Sequence, residues 1–499
     1  MAFLKPRRLL LLPAEALPPV GVFGRDLNPE HYRQHLGSQR EALHWDASPG
    51  LRANALAALL PTVAAGGFCA LHLPAGPDPD HERLADWGTD LGRCSPHFNQ
   101  RLRRLAREFA VPPERSASLL ELEASEEIIF SPDRSASLSA TVKAPAHAEQ
   151  SAPLGSGPQI LLGPRGSGKS TLLAAQLRAL GPERVLLITP FRPAEALRSF
   201  RTCPPDEALR RRPPADYLII DEAASIAPAQ LWALTRAYPN YVLASSVDGY
   251  EGQGRALALR LLPRLQAVDG AQLRHSVGSH RFSVLDPLAC FTEAAFLLNP
   301  DPGPAPKRFG GEALRFRLIG PAALRDEALL RRVYGLLHQA HYRTSPEDLK
   351  RLLDLPDQWL LLAEQGEALL GVLQLLLETP LPEDLARAVM AGSRRPRGRL
   401  FLQQLLGHSQ DLCWNRPWLR VSRIAVRDGW RRQGLGRRLL HRAQELLPTP
   451  LAVSHQNDEA LAGFWQALGF RRWPTASRTM LWLSSRVFPP EFPNPDRTI

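Results

Sequence analysis

At 499 residues the chain is long enough for about three domains of ordinary size. Apolar residues at 44% and charged residues at 22% are those of a globular protein, and no run of 18 apolar residues is present to span a membrane. Five dispersed cysteines (Cys69, Cys94, Cys203, Cys290, Cys413) without C-x-x-C spacing exclude a disulfide framework or a zinc site and predict a reducing, cytoplasmic setting. The net charge of +11 and a pI near 9.9 favour an anionic partner.

The first residues, Lys5-Pro6-Arg7-Arg8 followed by Leu9 to Leu12, imitate a signal peptide. The apolar run stops at Pro13, so a first strand is expected instead. Residues 1–130 read as an N-terminal α/β domain. Ala53 to Leu60 has helical periodicity, and Gly66-Gly67 reads as a turn into a strand over Phe68 to Leu73. Asn99 to Phe109 places Leu102, Leu105, Ala106 and Phe109 on one helical face, with Arg101, Arg103, Arg104 and Arg107 as a basic side. This stretch carries no catalytic motif and reads as a binding or structural module. Residues 131–157, rich in Ser, Ala, Pro and Gly, offer too little apolar surface to offset the entropy of ordering and are expected to be a flexible linker.

Residues 158–304 open with an apolar strand, Gln159 to Leu162, and then Gly163-Pro164-Arg165-Gly166-Ser167-Gly168-Lys169-Ser170-Thr171 before a helix. This is G-x-x-x-x-G-K-[ST] in the strand–loop–helix context that it requires. Backbone N–H groups cradle phosphates, Lys169 reaches the β/γ-phosphates, and the Ser170 hydroxyl suits magnesium. Further apolar strands at Val185 to Ile188, Tyr217 to Ile220 and Tyr241 to Ala244 alternate with helices, predicting a parallel doubly wound sheet. Asp221 and Glu222 follow the third of these strands. Asp221 is expected to hold magnesium and Glu222 to orient the attacking water for ATP hydrolysis. Ser245-Ser246 follows the next strand and could sense the γ-phosphate, at the start of a glycine-rich loop through Arg255.

A Pro/Gly cluster from Asn299 to Gly311 marks a boundary near residue 305. Within residues 305–485, Leu324 to Leu337 is helical, and a second helix starts at Ser345-Pro346 with acids in its first turn. Trp359 to Ala363 and Leu369 to Leu377, joined at Gln365-Gly366-Glu367, form a hairpin. The apolar run Leu419 to Val426 is a buried strand, broken at Asp428-Gly429 and followed by Arg431-Arg432-Gln433-Gly434-Leu435-Gly436-Arg437 and a helix. Loop N–H groups and the helix dipole converge there on a site for a pyrophosphate, with Gly434 and Gly436 admitting the ligand and Arg431 and Arg437 adding charge. A strand (Leu451 to Ser454), a helix (Leu461 to Leu468, with Phe464-Trp465) and a closing strand (Thr479 to Leu483) complete the domain. Residues 486–499 form a C-terminal tail. Between Arg394 and Arg442 there are thirteen arginines, no lysine and two acids, Asp411 and Asp428. That window alone carries as much net charge as the whole chain, a basic face for CoA phosphates or an RNA backbone.

Arg-x-x-Gly-x-Gly after a strand ending Arg-Ile-Ala-Val resembles the acetyl-CoA loop of GNAT-type N-acetyltransferases. Together with the P-loop, the whole order of motifs resembles the bacterial tRNA(Met) cytidine acetyltransferases. The matching stretches are Gly163 to Ser170, Asp221 to Ala224, Gly249 to Gly252, His341 to Pro346, Arg394 to Gly398, Val421 to Val426, and Phe464-Trp465 with Gly469-Phe470. The resemblance implies an α/β multidomain chain: an N-terminal α/β domain, a P-loop (RecA/helicase-like) sheet and a GNAT domain. It implies acetyl-CoA against Ile424, Ala425, Val426 and the Arg431–Arg437 loop (Arg432, Gln433 and Leu435 included). ATP would lie on Gly163 to Thr171 with Arg281 and an upstream Gln150, and Mg2+ at Ser170 and Asp221. The implied partner is elongator tRNA(Met), at its anticodon loop, with no membrane or DNA. The strand after the CoA helix ends Ser454-His455-Gln456 where the family pattern is Ser-Phe-Gly. His455, at the end of a strand near the expected thioester, is a proton-relay candidate and equally a structural histidine.

The implied activity is ATP-dependent acetylation of N4 of the wobble cytidine, with hydrolysis remodelling the anticodon loop. Two other classes fit the same motifs: a protein or small-amine acetyltransferase with a regulatory ATPase, and an RNA-binding ATPase with an inactive acetyltransferase domain.

Overall fold

The computed structural model describes residues 5–36, 38–111, 157–163, 167–190, 193, 195–246, 261–276, 286–303, 313–340, 344–398, 401–406, 415–456, 459–473 and 479–484. The linker at 131–156, the loop at 247–260, the His341–Arg343 motif and the tail at 486–499 lie outside them. The chain divides into two compact units. One comprises Met1–Asp78, Asn99–Asn299 and Tyr342–Glu347; the other comprises Pro79–Phe98, Pro300–His341 and Asp348–Ile499.

The first unit holds two parallel sheets. In one, β1 (Arg8–Leu11), β2 (Val22–Phe23), β3 (Arg40–Asp46) and β4 (Val63–His72) pair in the order β1-β4-β3-β2. The expected first strand is β1. Gly66-Gly67 is not a turn. Both glycines lie inside β4 at a register shift against β3, where Gly66 has φ +79°, so the strand bulges there without ending. The expected helix runs from His97 to Phe109, but its basic side is incomplete. Arg101 is buried and donates to Ala294 O and Ala295 O, both at 2.6 Å, near the end of the Pro287–Phe296 helix. Carbonyls at a helix C-terminus lack intrahelical partners, and a guanidinium supplies them.

The second sheet consists of β5 (Gln159–Gly163), β6 (Val185–Ile188), β7 (Thr202–Cys203), β8 (Tyr217–Ile220), β9 (Tyr241–Ser246) and β10 (Gln272–His275). All pairs are parallel, in the order β10-β5-β9-β8-β6-β7. Its inner strands are buried on both faces: Leu186, Ile188, Leu218 and Ile220 join one core cluster, and Leu161, Leu187, Ile219 and Val242 the other. That is why they read as unbroken apolar runs. The edge strands β7 and β10 carry no such run, so the sequence did not announce them.

The second unit is built on a seven-stranded sheet of β11 (Arg315–Ile319), β12 (Gln358–Gln365), β13 (Ala368–Glu378), β14 (Trp418–Val426), β15 (Leu451–Gln456), β16 (Phe470–Trp473) and β17 (Thr479–Ser484), ordered β11-β12-β13-β14-β15-β17-β16. The expected hairpin is β12–β13, turning at Gly366 with φ +56°. The expected closing strand, β17, is not the edge. It is flanked by β15 and β16, so the short β16 ends the sheet. Helix Leu435–Leu446 packs Leu435, Leu439, Leu440 and Ala443 on one face of the sheet, and Phe401–Leu406 packs around Trp418 on the other. Each fully buried leucine contributes roughly 2 kcal/mol, so the amphipathic stripe alone fixes this helix. Trp465 belongs to the core and Phe464 packs edge-on against it.

Candidate functional site

In the first unit, β5, β9 and β8 are adjacent and parallel, so Gly163, Ser246 and Asp221 emerge at one end of the sheet. In an open α/β sheet that end is where ligands bind. Gly168 (φ +79°) caps the Lys169–Leu180 helix. Ser170 Oγ donates to Asp221 Oδ2 at 3.1 Å, and Lys169 Nζ donates to Gly163 O at 2.9 Å. Asp221 is buried. Burial, followed by the adjacent Glu222 carboxylate, pushes its acid up to about 7 against the opposing effects of Ser170 and Lys169. A divalent cation reverses that balance by holding the carboxylate ionised. A hydroxyl and a carboxylate within 3.1 Å are the hard oxygen donors that Mg2+ takes, so the residues fit the ion.

Glu222 has φ +51°, a left-handed conformation that costs a non-glycine residue about 1 kcal/mol and marks a constrained position. Its carboxylate accepts from Ser246 Oγ at 3.3 Å, and Ser245 Oγ accepts from Ala224 N–H at 3.1 Å. The serine pair is thereby tied to the Asp221–Glu222 turn. Ser167 is buried, and Thr171 is exposed on the helix. Ser276, which sequence reading passed over, follows β10 and donates through Oγ to Ser167 O at 2.7 Å. A lone serine after a polar edge strand gives no signal for that role. Pro164, Arg165, Gly166, Gln150 and Arg281 lie outside the described residues.

In the second unit, β14 and β15 pair in parallel only at Leu419↔Leu451 and Arg420↔Ala452. Past Arg420, no ladder among the described residues joins them, while β14 stays paired with β13 as far as Val426. A wedge therefore opens between Val421–Val426 and Val453–Gln456. It leaves the main-chain groups on the unladdered side of Ile424 to Val426, apart from the Val426 carbonyl, for a ligand with amide groups of its own. Gly434 (φ +80°) then caps the Leu435–Leu446 helix, bringing its N-terminus to the end of β14. The loop is braced by Arg431 Nε on Val426 O at 3.1 Å and Gln433 Nε2 on Gly429 O at 2.7 Å. Arg431, Arg432, Gln433 and Arg437 are exposed, as phosphate-binding groups must be.

A Cβ at Gly436 would lie 3.6 Å from Ile424 Cδ1 and from the Phe464 ring, in ordinary van der Waals contact, so the protein itself would accommodate it. Leu435 is buried beneath the loop. These features form a cradle that fits the pyrophosphate and pantetheine amides of acyl-CoA. His455 stands on β15 within the diverging part, its ring stacked on Trp482 at 6.3 Å. Not all of the arginine-rich window is a solvated face. Arg427 is buried, donating to Leu369 O, Gly303 O and Pro302 O, and Arg420 pairs with Glu378 and Asp86.

A P-loop unit and a splayed strand pair with a glycine loop define an enzyme of the acetyl-CoA-using N-acetyltransferase class that also binds ATP. Family profiles agree with each part. Residues 12–111 match the N-terminal domain of tRNA(Met) cytidine acetyltransferase TmcA, residues 194–299 the helicase domain of RNA cytidine acetyltransferase NAT10/TcmA, and residues 397–472 the acetyltransferase (GNAT) domain. The chain belongs to the tRNA(Met) cytidine acetyltransferase family. The relative from Yersinia pestis is 33% identical, covering 91% of this chain and 67% of its own. Those from Salmonella typhimurium and Idiomarina loihiensis are each 31% identical, covering 89% and 90% of this chain and 67% and 71% of theirs. All three carry the name tRNA(Met) cytidine acetyltransferase TmcA, and this chain spans about two thirds of their length.

Proposed function

We propose that the protein transfers the acetyl group of acetyl-CoA to N4 of the wobble cytidine of elongator tRNA(Met), with ATP hydrolysis remodelling the anticodon loop. The observation that carries this reading is the presence, in one chain of this family, of a wedge between β14 and β15 and a P-loop serine bonded to Asp221. Acetyl-CoA lies along Ile424 to Val426, its phosphates on Arg431 to Arg437. ATP lies on Gly163 to Thr171 with Arg281 and Gln150, and Ser170 and Asp221 hold Mg2+. Held there, the ion would supply charge neutralisation to the nucleotide phosphates, and Glu222 orients the attacking water.

In acetyl transfer the N4 amine attacks the thioester carbonyl carbon. A C–N bond forms, the C–S bond breaks, and the N4 proton passes to the departing sulfur, with His455 as the relay. Cytidine N4 is conjugated and weakly nucleophilic, so alignment matters more than a strong base. Main-chain N–H groups at the unladdered edge of β14 supply donors for charge developing on the carbonyl oxygen.

The test is incubation of the full chain with radiolabelled acetyl-CoA and total tRNA, with and without ATP, and digestion of the RNA to nucleosides. ATP-dependent label in N4-acetylcytidine supports the reading. Label in protein or small amines that ignores ribonuclease overturns the substrate, and RNA-stimulated ATP hydrolysis without acetyl product overturns the transfer.

A further inference from the structure

We propose that a polar cavity within the second unit, beside the wedge, is the pocket that receives the acceptor cytosine, with Trp87 as its stacking surface and Gln374, Arg423 and Asp348 reading the edge of the base. This rests on the reading that the acceptor is a cytidine in RNA. The cavity is lined by Trp87, Tyr334, Asp348, Gln374, Ser422 and Arg423, among others. It adjoins β13 and β14, against which helix Glu327–Ala340 packs. Gln374 and Arg423 are direct cross-strand partners, so both side chains leave the sheet on one face. The ladder slips between Gln374 and Leu375, making Ser422 the extra residue of a bulge in β14. Bulges re-aim side chains next to functional sites. Arg423 directly precedes Ile424, the first residue proposed to lie against acetyl-CoA.

The chemical identity of the wall is set one residue further back. Gln358 is buried, and its Nε2 donates to Arg351 O (2.9 Å), Leu352 O (3.3 Å) and Leu355 O (2.7 Å). Three carbonyls around one nitrogen allow only one orientation of the amide, so Gln358 Oε1 must accept. It does so from Gln374 Nε2 at 3.2 Å. Gln374 thereby spends one of its two amide hydrogens on Gln358, and its Oε1 remains an acceptor for a ligand in the cavity. Arg423, paired with Asp348 at 3.2 Å, brings a donor fork beside a second acceptor.

Cytosine offers an amine donor at N4 and acceptors at N3 and O2. An acceptor wall at Gln374 and Asp348 with a donor at Arg423 complements that edge. Uracil would set its O4 carbonyl against the Gln374 oxygen. Trp87 is 42% exposed although it lines the cavity, as befits a surface on which an extruded base stacks. The main-chain N–H of Trp87 donates to Arg397 O at 2.9 Å, joining it to a segment whose Arg394, Arg395 and Arg397 are exposed and suited to the flanking phosphates.

The test uses the full chain with ATP, acetyl-CoA and an anticodon stem-loop RNA, comparing wild type with Gln374→Leu, Arg423→Lys and Trp87→Ala. Each substitution should lower kcat/KM for RNA by about 10- to 100-fold, Trp87→Ala chiefly through KM, with acetyl-CoA affinity unchanged. A wild-type preference for cytidine-bearing over uridine-bearing competitor RNA should vanish in Gln374→Leu. Trp87 is surface-exposed, so its substitution supplies the readout even where a buried replacement fails to fold. Wild-type kinetics and wild-type base preference in the variants would overturn the pocket. Absence of acetylated RNA with the wild-type chain, with acetyl appearing on amines instead, would overturn the reading beneath it.

Discussion

Ser170 Oγ donates to Asp221 Oδ2 at 3.1 Å, joining two residues 51 positions apart. One ends the phosphate loop and the other ends β8, and neither motif alone defines a cation site. Their contact follows from the sheet order, in which β9 is the only strand between β5 and β8. Asp221→Asn keeps the shape and removes the charge. The expected result is loss of Mg2+-dependent ATP hydrolysis by about 100-fold or more, with folding retained, measured by phosphate release and thermal unfolding. Hydrolysis at the wild-type rate would remove Asp221 from the site.

Lys169→Met should abolish nucleotide binding while leaving acetyl-CoA affinity at the wild-type level, because the two ligands are assigned to different sheets. Calorimetric titration with each ligand reads this directly. Acetylation of folded tRNA should fall with it, and equal acetylation with and without ATP in the wild type would break the proposed coupling.

The two glycines of the CoA loop should behave differently. Gly434 sits at φ +80°, where an L side chain costs about 1–2 kcal/mol, so Gly434→Ala should lower the Tm of the second unit by about 2–8 °C. A Cβ on Gly436 meets only ordinary van der Waals contacts, so Gly436→Ala should keep its Tm. It should instead weaken acetyl-CoA binding by crowding the ligand. Equal Tm losses in both would contradict the loop geometry.

Arg7 and Asp286 form a buried pair with side chains 2% and 0% exposed, the carboxylate also accepting from Arg7 N–H and, as helix N-cap, from Ala289 N–H. Removing one member leaves an uncompensated buried charge. Asp286→Ala should destabilise the first unit by about 3–5 kcal/mol in denaturant unfolding. A loss below 1 kcal/mol would show that the pair is solvated.

Cysteine reactivity supplies a pH test. Burial pushes Cys69 up to about 12, and burial with nearby carboxylates pushes Cys94 and Cys290 up to about 11. A raised thiol pKa means less thiolate at any given pH, so at pH 8 only about one thiol in a thousand is ionised at Cys94 and Cys290. Alkylation of the native protein, followed by mass spectrometry, should be slow at pH 8 for all three. For Cys94 and Cys290 it should quicken about tenfold per pH unit up to pH 10. Rapid labelling of Cys69 at pH 8 would sink the assignment.

Contiguous chemistry was legible in the chain itself. The loop Gly163 to Ser170 and the loop Arg431 to Gly436 each need only a strand, glycines with special φ and a helix start, all set by near neighbours. Apolar runs marked β5, β6, β8 and β9 because strands buried on both faces have no polar face to hide them, whereas the half-buried β14, with Arg420, Ser422 and Arg423, was marked by the glycine loop that follows it. The polar or very short edges β7, β10 and β16 carried no comparable pattern. Arg101 read as part of a solvated basic face, since helical spacing shows that it lies off the apolar stripe but not which carbonyls meet it. Tertiary structure alone decided that Arg101 caps another helix, that Ser170 meets Asp221, and that β14 and β15 part after Arg420. It also set Gln374 beside Arg423, with the Gln374 amide bonded to a Gln358 whose own orientation three carbonyls fix. Those relationships join residues far apart in sequence, and long-range packing rather than local propensity selects them.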